Sequence, residues 1–151
     1  MIRKGTGILA GILVAATAAL PALADTTPED AKDYRAAVMT AFRGHIGAAS
    51  MVVRGLVDND GQLVGHAEAM SSLAAELENV FPEGSDVGES EALPAIWSNP
   101  DAFAAAVQAT VDATAAFEEA AASGDAAAIG QAMRGVGMAC RGCHDDFRKS
   151  D

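Results

Sequence analysis

The stretch MACRGCHDDFRKSD, residues 138–151, decides how the rest of the chain is read. Cys140 and Cys143 stand three apart, and His144 follows at once. On a helix each residue turns about 100°, so positions 140, 143 and 144 return to nearly one face. One helix edge then presents two sulfurs and an imidazole. C-x-x-C-H is the spacing that attaches c-type haem, with the thiols bonded to the two vinyl groups and the imidazole bound to iron. A redox dithiol and a partial metal site are the other readings of the same residues. Structural zinc needs four ligands, and the motif offers three.

Upstream of this motif the composition is helical: alanine dominates and strand-type alternation is absent. Thr27 is a candidate cap, with Pro28 at the first helical position and Glu29 and Asp30 in the first turn. From there Val38, Phe42, Ile46, Ala49 and Val53 recur at helical spacing and predict a first helix that stops near Gly55. A second helix is predicted from Gln62 to about Val80, on Leu63, Ala67, Met70, Leu73, Ala74 and Leu77. Residues 81–100, FPEGSDVGESEALPAIWSNP, form a long connection punctuated by Pro82, Gly84, Gly88, Pro94 and Pro100. A loop of this length needs anchors, and Phe81, Leu93, Ile96 and Trp97 are the candidates. The third helix opens with Asn99 as cap and Pro100 at its first position, and shows Phe103, Val107, Val111, Thr114 and Phe117 on one face. Gly124 stops it, Asp125 caps the fourth, and the fourth carries C-x-x-C-H to about Lys149. Four amphipathic helices predict an all-α antiparallel four-helix bundle, with the haem attached covalently to the C-terminal helix.

The chain opens with Arg3 and Lys4, an apolar run GILAGILVAATAAL, and the small-residue segment Ala22–Ala24. That is the pattern of a cleaved export signal over residues 1–24, leaving one domain over 25–151. After removal, eight basic residues face 21 acidic ones, a net charge of −13. Such a chain does not seek nucleic acid or an anionic membrane. No apolar run beyond the leader is read as a membrane span. No Ser/His/Asp set or pair of catalytic carboxylates is apparent, so an enzyme is not expected.

Only seven residues follow His144, too few to reach the far face of a bound iron, so a sixth ligand comes from upstream. Met39, Met51, Met70, His45 and His66 are the candidates, whereas Met133 and Met138 share the haem helix. Gly130, Gly135, Gly137 and Gly142 fall on that helix too. Each costs roughly 1 kcal/mol against alanine. Four of them suggest close approach of the backbone to haem or to a neighbouring helix.

The segments CRGCHDDFRK, YRAAVM and PAIW together resemble the class II cytochromes c, the group of cytochromes c′ and their low-spin relatives. The resemblance spans essentially residues 25–151. It implies a left-handed bundle with one covalent haem c, five-coordinate in most cytochromes c′. It places Met39, five residues after Tyr34, over the distal iron face, as a ligand in low-spin members or as an apolar cover in the others. It also places Arg35 near a haem propionate and Arg148 along the proximal pocket, although either position also suits a solvated charge. Asp145 and Asp146 are more acidic than the pattern leads one to expect, and the 81–100 connection is longer than a minimal bundle requires.

The leading expectation is a periplasmic one-electron carrier of a Gram-negative bacterium, with His144 proximal and Met39 distal, exchanging electrons with redox partner proteins. The alternative is a five-coordinate protein that binds or buffers small gases such as nitric oxide. The resemblance further admits a homodimer through the first two helices, where Gly47, Ala48 and Val52 offer a small, apolar surface.

Overall fold

The computed structural model describes residues 26–150, so the leader expected at residues 1–24 lies outside the described residues. Five α-helices follow in order: α1 (Pro28–Val53), α2 (Gln62–Ala74), α3 (Ala95–Ser98), α4 (Pro100–Ser123) and α5 (Ala126–Phe147). A 3-10 turn, Leu77–Asn79, follows α2. The four longer helices make the bundle, and the one-turn α3 sits within the long connection.

Local chemistry sets most of these ends. The Thr27 hydroxyl oxygen accepts the Asp30 backbone N–H at 3.1 Å, and Pro28 opens α1. Asp125 caps α5 by accepting the Ala128 N–H at 2.8 Å. Gly124, at φ +71°, ends α4 in the left-handed region that glycine adopts without a Cβ clash. Two expectations are corrected. Asn99 makes no side-chain cap to α4. Its N–H is already bonded to the Ala95 carbonyl at 2.9 Å as the last residue of the α3 turn, which holds its backbone at φ −134°. The second helix ends at Ala74 rather than Val80, and its apolar stripe continues into a tighter 3-10 turn before Pro82.

Two apolar clusters fill the bundle. One gathers Ala49, Leu63, Ala67, Met70, Phe117, Ile129 and Val136. The other gathers Val38, Leu77, Val80, Ile96, Phe103, Val107 and Phe147. Phe42 borders both. Around the bundle α1 lies on α2, α2 on α4, and α4 on α5. The fourth side, between α1 and α5, is much more sparsely packed than those three.

Two side-chain pairs hold α1 to α2 and to the residues just after it. The Tyr34 hydroxyl donates to the Glu76 carboxylate at 2.6 Å. His45 and His66 meet with their Nδ1 atoms 3.0 Å apart and their rings edge-to-face. These histidines are occupied with each other in helix packing.

α1 departs from the expectation that no run beyond the leader could span a bilayer. An 18-residue window within it has mean hydropathy 1.3, long and apolar enough by length and composition, and 11% of that window is buried. Val38, Met39, Phe42, Ile46 and the alanines supply the hydropathy, and the small burial reflects exposed residues such as Ala36, Ala37, Gly44 and Gly47.

Phe117 is fully enclosed among three helices. Phe117→Ala should lower stability by roughly 3–5 kcal/mol, read as a fall in the denaturant midpoint with an unchanged slope.

Candidate functional site

α5 runs without a break through residues 140–144, so the motif has the helical spacing that its chemistry needs. Cys140 packs at the edge of the first apolar cluster and Cys143 at the edge of the second. Both are free thiols and half-buried. Burial pushes both thiol pKa values up, and for Cys143 the neighbouring Cys140 and Asp146 add to the rise. His144 is exposed. Partial desolvation, followed by the Arg148 charge, lowers its imidazole pKa against the opposing pull of Asp145 and Glu91. That shift favours the neutral ring, which is the form able to bind a metal ion.

Cys140 and Cys143 border clusters that also take in Ala49 and Val38 of α1, and α1 and α5 are the sparsely packed pair of the bundle. A Cβ added at Gly135, Gly137 or Gly142 would meet nothing within 4 Å, and at Gly130 only the Arg134 Nη1 at 3.7 Å. Contact with a neighbouring helix therefore does not account for these glycines. Gly137 lies seven residues before His144 and so points along the same edge. Among the described residues no three His, Cys, Asp or Glu side chains converge to hold an ion. The donor set is two unpaired thiols and one imidazole on an open helix edge. It fits a flat macrocycle attached through sulfur.

Of the upstream candidates for a distal position, Met39 alone borders the cluster that Cys143 also borders. It is half-buried on α1, beside Val38 and near Phe42 and Leu73. Met70 is sealed inside the other cluster, and Met51 is 46% exposed. His45 and His66 face each other.

Arg35 is only 6% exposed. Its Nη1 donates to the Val80 carbonyl at 3.2 Å and the Ser85 hydroxyl at 2.8 Å. Its Nη2 donates to the Ser85 carbonyl at 2.8 Å and the Ser90 hydroxyl at 3.1 Å. The guanidinium also lies 5.0 Å from the Phe81 ring centroid. Burial lowers its pKa, with Asp86 opposing. Arg35 therefore fastens the connection after α2 onto α1.

Arg148 follows the last residue of α5, and its N–H bonds the His144 carbonyl at 3.2 Å. Its Nε meets the Glu91 carboxylate at 2.7 Å. Lys149 donates from Nζ to the Ser90 carbonyl at 2.6 Å and from its backbone to Glu91 at 2.8 Å. The Leu93 N–H bonds the Phe147 carbonyl at 2.9 Å, beside an isolated antiparallel bridge between Ala92 and Arg148. Ile96 is buried, and the Trp97 indole N–H bonds the Phe81 carbonyl at 3.1 Å. The anchors expected in this loop do anchor it. Ser85, Ser90, Glu91 and Lys149 were not foreseen, because each acts through a partner distant in sequence.

A bundle with an unpartnered thiol–thiol–imidazole edge defines a haem-carrying class of protein, and the comparisons agree. The family model described as Cytochrome C′ matches residues 30–148. The cytochrome c′ of Pararhodospirillum photometricum is 35% identical over 124 residues, covering 82% of this chain and 99% of that one. A cytochrome c-554 of Cereibacter sphaeroides is 36% identical over 140 residues, covering 88% and 91%. Among solved structures, the nitric oxide complex of a cytochrome c prime variant from Alcaligenes xylosoxidans is similar, with TM-score 0.76 and 34% identity, covering 82% and 97%. The cytochrome c′ of Rubrivivax gelatinosus is similar too, with TM-score 0.75 and 32% identity, covering 81% and 97%. The chain belongs to the cytochrome c′ family of class II cytochromes c. It is a haem-binding four-helix bundle of the electron-transferring or gas-binding kind, with one covalent haem c.

Arg35→Met retains much of the apolar bulk and strands four buried acceptors. It should lower stability by about 2–5 kcal/mol and speed amide exchange across residues 83–91 before α4 is affected. The Arg148 hydrogen bond holds the Glu91 carboxyl below its ordinary pKa. A depressed carboxylate stabilises the fold above its unfolded-state pKa and loses that contribution as pH falls through the folded value. Protection of the amides in residues 89–93, taken relative to the intrinsic exchange rate at each pH, should therefore fall in acid, and Glu91→Gln should show the reduced protection already at neutral pH.

Proposed function

We propose that the protein is a periplasmic haem c protein whose iron keeps an open or weakly covered distal position and takes a small diatomic gas there. Cys140 and Cys143 hold the macrocycle by thioether links, and His144 supplies the proximal nitrogen. Domain limits of 25–151 after removal of residues 1–24 go with this reading. The observation that supports it is the apolar surface offered by α1 and α2: Met39 and Phe42 of α1 and Leu73 of α2 border the same cluster as Cys143. An apolar cover admits a neutral diatomic molecule and offers no hydrogen-bond donor to water or an anion. The solved relatives include a nitric oxide complex and a carbon monoxide complex of cytochrome c prime from Alcaligenes xylosoxidans, which supports the same reading here.

The haem, when bound, supplies a redox-active iron that takes ligands along its axis. The chain's own residues decide what reaches that axis. His144 presents a neutral imidazole on the proximal side. Met39 screens the distal side. Arg35, its terminal nitrogens given to the loop acceptors, keeps one positive charge beside Phe81 at the second cluster, and that charge would favour a propionate on this side of the bundle. Arg148, held by Glu91, places another one turn past His144.

The second reading is an electron carrier in which Met39 binds the iron. It is favoured by the position of Met39, half-buried on α1 and bordering the same cluster as Cys143. Such a Met/His pair raises the potential. Exposed alanine and glycine on α1 support a homodimer through α1 and α2 in either case. Val52 and Ala48 are half-buried, so they contribute less to that face than the sequence suggests.

The ferric absorption spectrum separates the two. A high-spin spectrum with no weak band near about 695 nm, together with nitric oxide uptake by the reduced protein, is the expected result. A low-spin ferric spectrum with that band, converted to high-spin by Met39→Ala, would instead establish the carrier. The attachment has its own test. Replacing Cys140 and Cys143 together by serine should leave a haem that acidified organic solvent extracts, whereas the parent retains it.

A further inference from the structure

Between the 3-10 turn after α2 and the start of α4 lies an open recess of about 370 Å³. Phe81, Trp97 and Phe103 line it, and the only charged groups in its lining are the carboxylates of Glu78 and Glu83. The Trp97 indole N–H is already bonded to the Phe81 carbonyl, so the tryptophan offers the recess its ring and no free donor. Aromatic faces carry the negative pole of the ring quadrupole, and two carboxylates add formal negative charge. An ammonium group on an alkyl stem gains from both. An anion gains from neither. Phe81 already carries one cation, the Arg35 guanidinium, and Arg35 is not among the residues that line the recess.

The recess is also joined to the haem helix. Phe81 packs edge-to-face on Phe103 at 4.9 Å, and Phe103 on Phe147 at 5.3 Å. Phe147 lies four residues after Cys143 and shares its apolar cluster. Glu83 of the lining is exposed, as are Asp86 and Glu89 further along the same connection, on a chain of net charge −11. An acidic segment on an acidic chain steers an extended basic surface more strongly than a single small amine.

We propose that this recess seats a lysine side chain of a basic redox protein, and that the face around it is where that partner docks. One electron then passes between the partner's redox centre and the haem iron. One centre is oxidised and the other reduced by that electron, with no bond made and no proton moved. The inference rests on the haem assignment but not on whether Met39 ligates.

Trp97 is the sole tryptophan in the chain, so its indole N–H gives a single resonance in the isotope-labelled holoprotein. The reduced protein under carbon monoxide is low-spin with either sixth ligand, and suits the measurement. Three probes are titrated: butylammonium, its neutral analogue 1-butanol, and a helical peptide with three lysines on one face. Butylammonium should move the resonance saturably while butanol does not. The peptide should reach half-saturation at about tenfold lower concentration, an advantage lost in high salt. The Glu78→Gln/Glu83→Gln double variant, with an unchanged Soret band showing intact folding, should need about fivefold more butylammonium. Equal responses to butylammonium and butanol, or no response to either, would overturn the site. A peptide no tighter than butylammonium would overturn the partner.

Discussion

A haem is a rigid plate, and a chain that grips it by one helix edge must stop the facing helix from closing on that edge. This requirement organises the bundle. α5 is packed firmly along α4, α4 along α2, and α2 along α1, while α1 and α5 meet sparsely. The two are instead tied through an intermediary. Arg35 on α1 holds Ser85 and Ser90, and Ser90 and Glu91 hold Lys149 and Arg148 at the end of α5. A strap of this kind sets a separation without filling the gap, which side-chain packing between the helices could not do.

The strap depends on a buried cation, and its chemistry explains why that is tolerable. A guanidinium removed from water is costly unless its donors are used. Here four hydrogen bonds reach neutral acceptors and an aromatic ring covers one side, while Asp86 is the charge that favours the ionised form. The fixed fork of arginine lets one side chain bind two loop segments at once, and lysine could not reproduce that geometry. The two apolar clusters then sit on either side of the attachment motif, with Cys140 bordering one and Cys143 the other.

What could be read in the sequence was what acts locally. C-x-x-C-H, the Thr27–Pro28 start, the Gly124–Asp125 turn and the apolar stripes all depend on residues within a few positions of one another, and the structure reproduces them. Even locally there were limits. Asn99 reads as a cap, but a neighbouring turn had already fixed its backbone. The stripe after Ala74 keeps helical spacing through a 3-10 turn, because two tight helical forms share nearly the same period. The pairings that shape the site were hidden for another reason. Arg35 with Ser85, Arg148 with Glu91, and His45 with His66 join positions 50, 57 and 21 apart, which leave no pattern along the chain. The glycines of α5 were legible as an anomaly, and only the open space beside them showed that no helix had claimed it.

The connection between Val80 and Leu93 is held at few points, chiefly Ser85 and Ser90 against the buried guanidinium and residues 91–93 against the tail of α5. Between those fixings the chain runs over exposed glycine and acidic residues. The entropy of closing a loop rises only slowly with its length. Insertions at Pro82–Gly84 or at Gly88–Glu89, which leave Ser85, Asp86 and Ser90 in place, therefore perturb the bundle little. The fold possesses a region where relatives can diverge in outline and charge while the iron's surroundings stay constant, and new recognition properties can evolve there without cost to the cofactor.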